Sequence, residues 1–321
     1  MRFIDAHCDT FLHLMRNHSI DLKTNTLCVD LEKMKTANSL AQFFAFFISV
    51  KEFSGDNPWE ESYLYAWNMI RYGKQCIAKY ADMIAPAYCY EDVLDNDAKG
   101  IMSAVFTVEE GGIIHGKMEC LEELYRQGIR LVTLTWNHEN CIGFPNSRDK
   151  GIMQQGLKPF GIEVVECMNK LGMIIDVSHL SDGGFWDVIK YSKKPIMASH
   201  SNARTLCPHP RNLSDEMIKA LAENGGICGV NFYPHFLNQT SNANVQDIAE
   251  HISYIYQVGG EDSVAIGTDF DGFFECELDV AHVGQMQKVY EAIKKRGFTE
   301  SQMEKFLYKN TLRVLKEQNR H

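Results

Sequence analysis

Apolar residues fall along this chain in short runs separated by longer segments of helical period. The runs are Arg2 to Ala6, Ala41 to Val50, Met102 to Val108, Ile129 to Thr135, Met173 to Ser178, Pro195 to Ser199, Gly226 to Phe232 and Ser263 to Thr268, which makes eight strand candidates. Most lack strict alternation, as expected of parallel strands covered on both faces. Between them, Trp59 to Tyr80 carries Trp59, Tyr63, Trp67 and Ile70 at helical spacing, and Leu121, Leu124 and Tyr125 repeat the pattern in a shorter segment. Further helices are predicted over Pro159 to Leu171, Ser214 to Glu223 behind an N-cap at Ser214, Val245 to Val258 and His282 to Lys295. A last helix opens at Thr299, where Gln302 completes the pattern of a capping box. Eight strands each followed by a helix, joined by right-handed crossovers, predict a (β/α)8 TIM barrel in preference to a doubly wound sheet. No linker, composition shift or solenoid-type repeat divides the chain, so residues 1–321 are read as a single domain.

Composition narrows the function. A chain of 321 residues with 45% apolar content can bury a sizeable core. Its net charge of −10, with acidic and basic residues interspersed, argues against nucleic acid or an anionic membrane surface as the main partner. The ten cysteines form no C-x-x-C pair and no regular framework, which predicts reduced thiols in a cytoplasmic setting and no zinc ribbon. The chain enters a strand by Phe3 without a basic or apolar leader, and no stretch approaches the roughly 18 apolar residues of a membrane span. Even Phe43 to Ile48 is bounded by Gln42 and Ser49 and reads as a buried strand.

The candidate chemistry sits where the strands end. His7 and Asp9 close the first run, Glu109 and Glu110 the third, His179 the fifth, His200 the sixth and Asp269 the eighth. In a TIM barrel these C-terminal ends share one rim, where the active site lies. Imidazoles and carboxylates ligate divalent ions, and one carboxylate can bridge two ions roughly 3.5–4 Å apart. His7 and Asp9, two apart on an extended segment, point the same way and suit one ion. His179 and His200 suit a second, and Glu110 reaches both. A water shared by two cations ionises near neutral pH.

These residues resemble the membrane (renal) dipeptidase family of metallopeptidases, peptidase family M19, within the amidohydrolase superfamily. The resemblance spans essentially the whole chain. It rests on Ile4 to Asp9, Glu110-Gly111-Gly112 with Leu121 to Arg130, Asp176 to His179, Ser199 to Ala203 with Arg211-Asn212, Gly267 to Gly272, and Asn310 to Leu315. It implies a barrel with a binuclear zinc site, two Zn2+ per chain, that hydrolyses dipeptides with a metal-bridging hydroxide and commonly tolerates a D-residue at the C-terminal position. It also suggests a homodimer. Carried over by residue, His7 and Asp9 bind one zinc, His179 and His200 the other, and Glu110 bridges them. Asp269 matches the acid/base carboxylate and Arg211 the arginine for the substrate's free carboxylate. One position departs from the pattern: mammalian members carry a histidine where this chain has Trp136, and His138 is the nearest substitute on the same loop. The lipid-anchor signal of those members is absent, so membrane attachment does not carry over.

Plainer readings stand beside these. Glu109 competes with Glu110 for the bridge; adjacent strand residues face opposite ways, and the Glu-Gly-Gly match selects Glu110. Asp269 has third ligand or structural cap as alternatives, Arg211 an ion pair with a loop carboxylate, and Tyr233 either lines the pocket or packs at the rim. Asp271 stabilises the turn before Gly272, and Cys8 points away from its ligand neighbours into the core. His13, His18, His115, His209, His235, His251, His282 and His321 are read as surface or satisfied core residues. Two rival functions remain: an N-acyl-D-amino-acid deacylase or other amidohydrolase on the same barrel, and a non-catalytic metal-binding protein.

Overall fold

The computed structural model describes residues 1–274 and 276–318; His321 lies outside them. Strands β1 (Phe3–Cys8), β2 (Ser39–Phe47), β3 (Ile84–Pro86), β4 (Met102–Glu109), β5 (Ile129–Thr133), β6 (Ile174–Asp176), β7 (Met197–Ala198) and β8 (Ile227–Val230) come first. A two-residue β9 (Asn242–Ala243), β10 (Val264–Ile266) and a two-residue β11 (Glu277–Leu278) follow. Parallel pairing runs β1–β2–β4–β5–β6–β7–β8–β10 and returns from β10 to β1, closing the predicted eight-stranded barrel. The short β3, unforeseen, takes the edge of β4 at Met102 to Ala104, below the point where β5 begins to pair at Phe106. β9 and β11 form a separate two-stranded ribbon.

Several barrel strands are shorter than their apolar runs, and buried side chains account for it. Asp176 Oδ1 accepts from the backbone N–H of Ser178 (3.0 Å) and Ser199 (2.9 Å), and Asp5 Oδ1 accepts from Thr268 N–H (2.8 Å). Carboxylates thus take donors that a longer ladder would use. Where the chain leaves the strands, Glu110 (φ 89°), His179 (φ 66°) and Asp269 (φ 61°) all adopt left-handed backbone, a strained state for non-glycine residues that clusters at functional sites. Gly229 and Gly267 keep the wall closed here. A Cβ at either would stand 2.0 or 1.8 Å from the carbonyl oxygen of Ser199, so any larger residue would push β8 or β10 away from the segment bearing His200.

Helices coat the barrel. The longest, Pro58–Lys79, starts with Asn57 accepting from Glu60 N–H and Pro58 at its first position, and it buries Ala66, Met69, Ile70, Gly73 and Ile77. Ser214 caps Asp215–Glu223 through Met217 N–H, and Thr299 with Gln302 forms the capping box. Deep in the barrel, Ile4, Phe43, Val105, Leu131, Ile174, Met197, Ile227 and Ala265 supply one residue from each barrel strand to a buried apolar cluster. Leu312, Val314 and Leu315, from the helix Asn310–Gln318, join the same cluster and seal that end.

Candidate metal centre and active site

Backbone pairing at the rim draws the first and last barrel strands together. Asp9 N–H donates to Phe270 O (2.9 Å) and Asp269 N–H to His7 O (3.2 Å), which sets His7, Asp9 and Asp269 side by side. His7 Nε2 lies 3.3 Å from Asp9 Oδ2 and 3.9 Å from Asp269 Oδ1. Two strands along the barrel, with β2 between, β4 sends in Glu109. Its Oε2 is 3.3 Å from His7 Nε2, and its Oε1 is 3.1 Å from His179 Nε2 and 3.6 Å from His200 Nε2. The His179 and His200 Nε2 atoms stand 3.1 Å apart, and the His200 ring stacks on His7 at 3.8 Å.

The expectation for Glu110 is corrected by this geometry. Its carboxylate faces away from the histidines and accepts from Gly112 N–H (2.8 Å), Asn140 Nδ2 (2.5 Å) and Trp136 N–H (3.2 Å). Phe106 and Val108 of β4 pack in the main core outside the barrel, whereas Val105 belongs to the interior cluster. Odd-numbered residues of β4 therefore face inward, and Glu109 inherits that direction. The polar Ser103 and Thr107 share the parity of Glu109, a signal present in the sequence.

A second tier orients the rim. Ser199 Oγ donates to Asp176 Oδ2 (2.6 Å) and receives His200 Nδ1 (2.7 Å), and His179 Nδ1 meets Asn137 Oδ1 (3.0 Å). With both Nδ1 atoms engaged as donors, both Nε2 lone pairs converge on Glu109, the arrangement by which proteins prepare histidines for a metal. Asn231 Nδ2 donates to Asp269 Oδ2 (2.8 Å) and leaves Oδ1 facing the centre. Asn137, Ser199 and Asn231 carry no spacing signature in the sequence that marks them as supports.

Electrostatics agree with a ligand set. Burial, then the neighbouring positive groups, push His179 down to about 4 and hold His200 well below the ordinary imidazole range, so both are neutral and able to ligate. Burial opposes a charge on His7, but Glu109 and Asp9 outweigh it and raise its pKa. Burial lifts Asp269 to about 7 against the attraction of His7, with Asp9 and Glu109 adding to the rise. Two overlapping groups, His7/Glu109/His200 and His7/Asp9/Asp269, each bring three ligand atoms within 4.8 Å of one another. The buried Asp9 Oδ1 and Glu109 Oε1 have no hydrogen-bond donor. Converging lone pairs and orphaned carboxylate oxygens fit divalent cations and little else.

Above this floor lies a cavity of about 180 Å³ lined by Phe47, Trp136, Tyr233 and Phe236 around the polar groups. Tyr233 faces the cavity and stacks on Phe273 at 5.1 Å. His138 does not line it; its ring packs edge-on against Trp136 at 5.4 Å, and Trp136 holds the wall instead. Arg211 is buried, and no carboxylate among the described residues pairs with it. It donates to His200 O (2.8 Å) and Ser201 Oγ (2.9 Å), lies 5.7 Å from the Phe236 ring, and keeps an unpartnered Nε–H. Asp271 instead ties Thr10 and Cys28 N–H, and Cys8 packs in the outer core.

Residues 1–321 match the profile of the membrane dipeptidase family, peptidase family M19. The chain belongs to that family. It is a dipeptidase-type hydrolase of a metal-dependent peptidase family, built on a TIM barrel. The chain is 34% identical to an uncharacterized protein in the pqqA 5' region of Klebsiella pneumoniae over 78% of this chain and 94% of that one. It is 31% identical to an uncharacterized dipeptidase of Schizosaccharomyces pombe over 89% of this chain and 71% of that one. Among solved structures, the metallopeptidase dipeptidase AC of the same family superposes with a TM-score of 0.90 at 27% identity, covering 99% and 98% of the two chains. A Rhodobacter sphaeroides metallopeptidase bound to a phosphinate mimic of the dipeptide L-Ala-D-Ala gives 0.89 at 25% identity, covering 99% of each. No helix among the described residues is long and apolar enough to cross a membrane.

Proposed function

We propose that this family member is a binuclear zinc dipeptidase that accepts a D-residue at the C-terminal position. In this reading His7 and Asp9 would hold one ion and His179 and His200 the other, with Glu109 as a ligand common to the two. The observation that carries it is the position of the Glu109 carboxylate, one oxygen 3.3 Å from His7 and the other 3.1 Å from His179. When bound, the zinc ions supply a nucleophile at neutral pH and polarise the scissile carbonyl.

The chain's own groups do the rest. Asp269, anchored through Oδ2 by Asn231, has Oδ1 free to take a proton from the attacking water and return it to the departing amine. Arg211, with an unused Nε–H and no described carboxylate within ion-pair distance, receives the substrate's terminal carboxylate. Tyr233 closes the cavity on that side. The L-Ala-D-Ala mimic held by the Rhodobacter sphaeroides relative supports the D-residue. The ten cysteines, with no C-x-x-C pair or regular framework, fit a reducing cytoplasm.

Elemental analysis alongside LL, LD and DL dipeptides and N-acetyl-D-amino acids tests the reading. Two zinc ions per active chain with free amino acids released from LL and LD dipeptides are expected. One ion in a fully active preparation overturns the binuclear site, and turnover confined to the N-acetyl compounds overturns the dipeptidase.

A further inference from the structure

The cavity has two unlike walls, and they divide the substrate. Tyr233 and Phe236 stand on one side, with the Arg211 guanidinium 5.7 Å from the Phe236 ring and bonded to the backbone at His200. Phe47, at the end of β2, and Trp136, just beyond β5, stand on the other. Their rings meet edge to face at 4.7 Å, and Trp136 lies 6.3 Å from His179. Leu12 completes an apolar border there. Both aromatic rings are only partly buried by protein, so each offers a face to whatever enters. Their positions are fixed from below: Glu110 accepts from Trp136 N–H, and Asn137 of the same loop holds His179.

A dipeptide with its carboxylate at Arg211 and its scissile carbonyl over Glu109 turns its N-terminal side chain toward Phe47 and Trp136. We infer that Trp136 and Phe47 form a subsite selecting dipeptides with an aromatic or large aliphatic N-terminal residue. This rests on the dipeptidase reading and on the orientation set by Arg211. Water-accessible space of about 180 Å³ is below the roughly 300–1,000 Å³ of pockets for drug-sized ligands, so the cavity takes one large side chain rather than two. Aromatic rings bind a third ring edge to face or offset, adding to the gain from desolvating it.

The test measures kcat/KM for Ala-Ala, Phe-Ala, Leu-Ala and Ala-Phe with the zinc-loaded enzyme, together with calorimetric affinities for phosphinate mimics of Phe-Ala and Ala-Ala. Wild type is expected to favour Phe-Ala over Ala-Ala by roughly 10- to 100-fold, with the same order in inhibitor affinity. Trp136→Ala and Phe47→Ala should each lower the Phe-Ala to Ala-Ala ratio by about 10-fold while leaving the Ala-Phe to Ala-Ala ratio in place. Trp136→His keeps a ring and should retain an intermediate ratio. Equal ratios in wild type and variants, or a loss that follows the C-terminal side chain, overturn the subsite. Absence of turnover of every dipeptide by wild type overturns the underlying dipeptidase reading, a result distinct from a flat profile.

Discussion

The mouth of the barrel and its floor are built from the same strands, yet they obey different physics. At the floor, at least one apolar residue from each barrel strand packs with its neighbours, and the helix Asn310–Gln318 closes the end. At the mouth, the same β1, β4, β6 and β7 walls lead to His7, Glu109, His179 and His200, with the Glu109 carboxylate 3.1–3.6 Å from the Nε2 atom of each histidine. The floor is satisfied by shape alone and tolerates exchanges that keep volume. The mouth has charges and lone pairs whose partners are chosen atom by atom, so an isosteric change there is costly. Stability and activity are thus stored at different depths of one sheet.

The sharpest break in that comparison lies between adjacent residues. Glu109→Gln should lower kcat/KM by about 10³-fold or more with loss of bound metal, because a neutral amide is a poor ligand. Glu110→Gln should keep its metal, read by the same elemental analysis, since its carboxylate binds the Trp136–Asn140 loop. Equal metal loss in both would return the bridging role to an open choice.

At the floor, Leu131→Ala should cost about 3 kcal/mol in urea unfolding as a cavity forms, with metal content and kcat retained. A parallel fall in kcat under folding conditions would show that the two depths are mechanically joined. Asp269→Asn acts at the mouth without touching the floor. Its kcat should drop by roughly 10²-fold with two ions still bound, the signature of a proton carrier rather than a ligand. Metal loss alongside activity would make Asp269 a ligand.

The smallest effect lies outside both regions. Burial is the largest single influence on Asp21 and disfavours its charge, but Lys79, Tyr80 and the Lys23 N–H together outweigh it and hold the carboxyl at about 2. A lowered pKa contributes stability above the unfolded value near 4 and loses it as pH falls toward 2. Solvent screening limits the gain to less than about 1 kcal/mol, so Asp21→Asn should barely shift the melting temperature at pH 7 and should flatten its decline below pH 4. A large shift at neutral pH would place more weight on this surface than on the floor.

The barrel was legible because its strands are apolar runs of the right length at regular intervals. β3 was not, since three residues ending in Pro86 carry no period. The helices Thr10–Arg16, Tyr90–Ala98 and Asp182–Tyr191 leave little trace in the sequence, being short and, in the last, opened by Gly183-Gly184. At the rim, ligand chemistry recurring at strand ends points to His7, Asp9, His179, His200 and Asp269, and the fold brings these side chains together. The Glu-Gly-Gly motif favours Glu110, whereas strand parity with Ser103, Val105 and Thr107 turns Glu109 inward. His138 was favoured because it lay near a missing histidine in sequence, yet two residues along a turning loop carry it behind Trp136.

The helix that seals the floor also sets a timetable. About 50 residues separate Ile266, the end of the last barrel strand, from Leu315. At roughly 5–20 residues per second, synthesis spends several seconds with all barrel strands made and the plug still missing. During that interval the nascent chain carries an open greasy socket, and chaperones and the unfinished polypeptide compete for it until the closing helix leaves the ribosome.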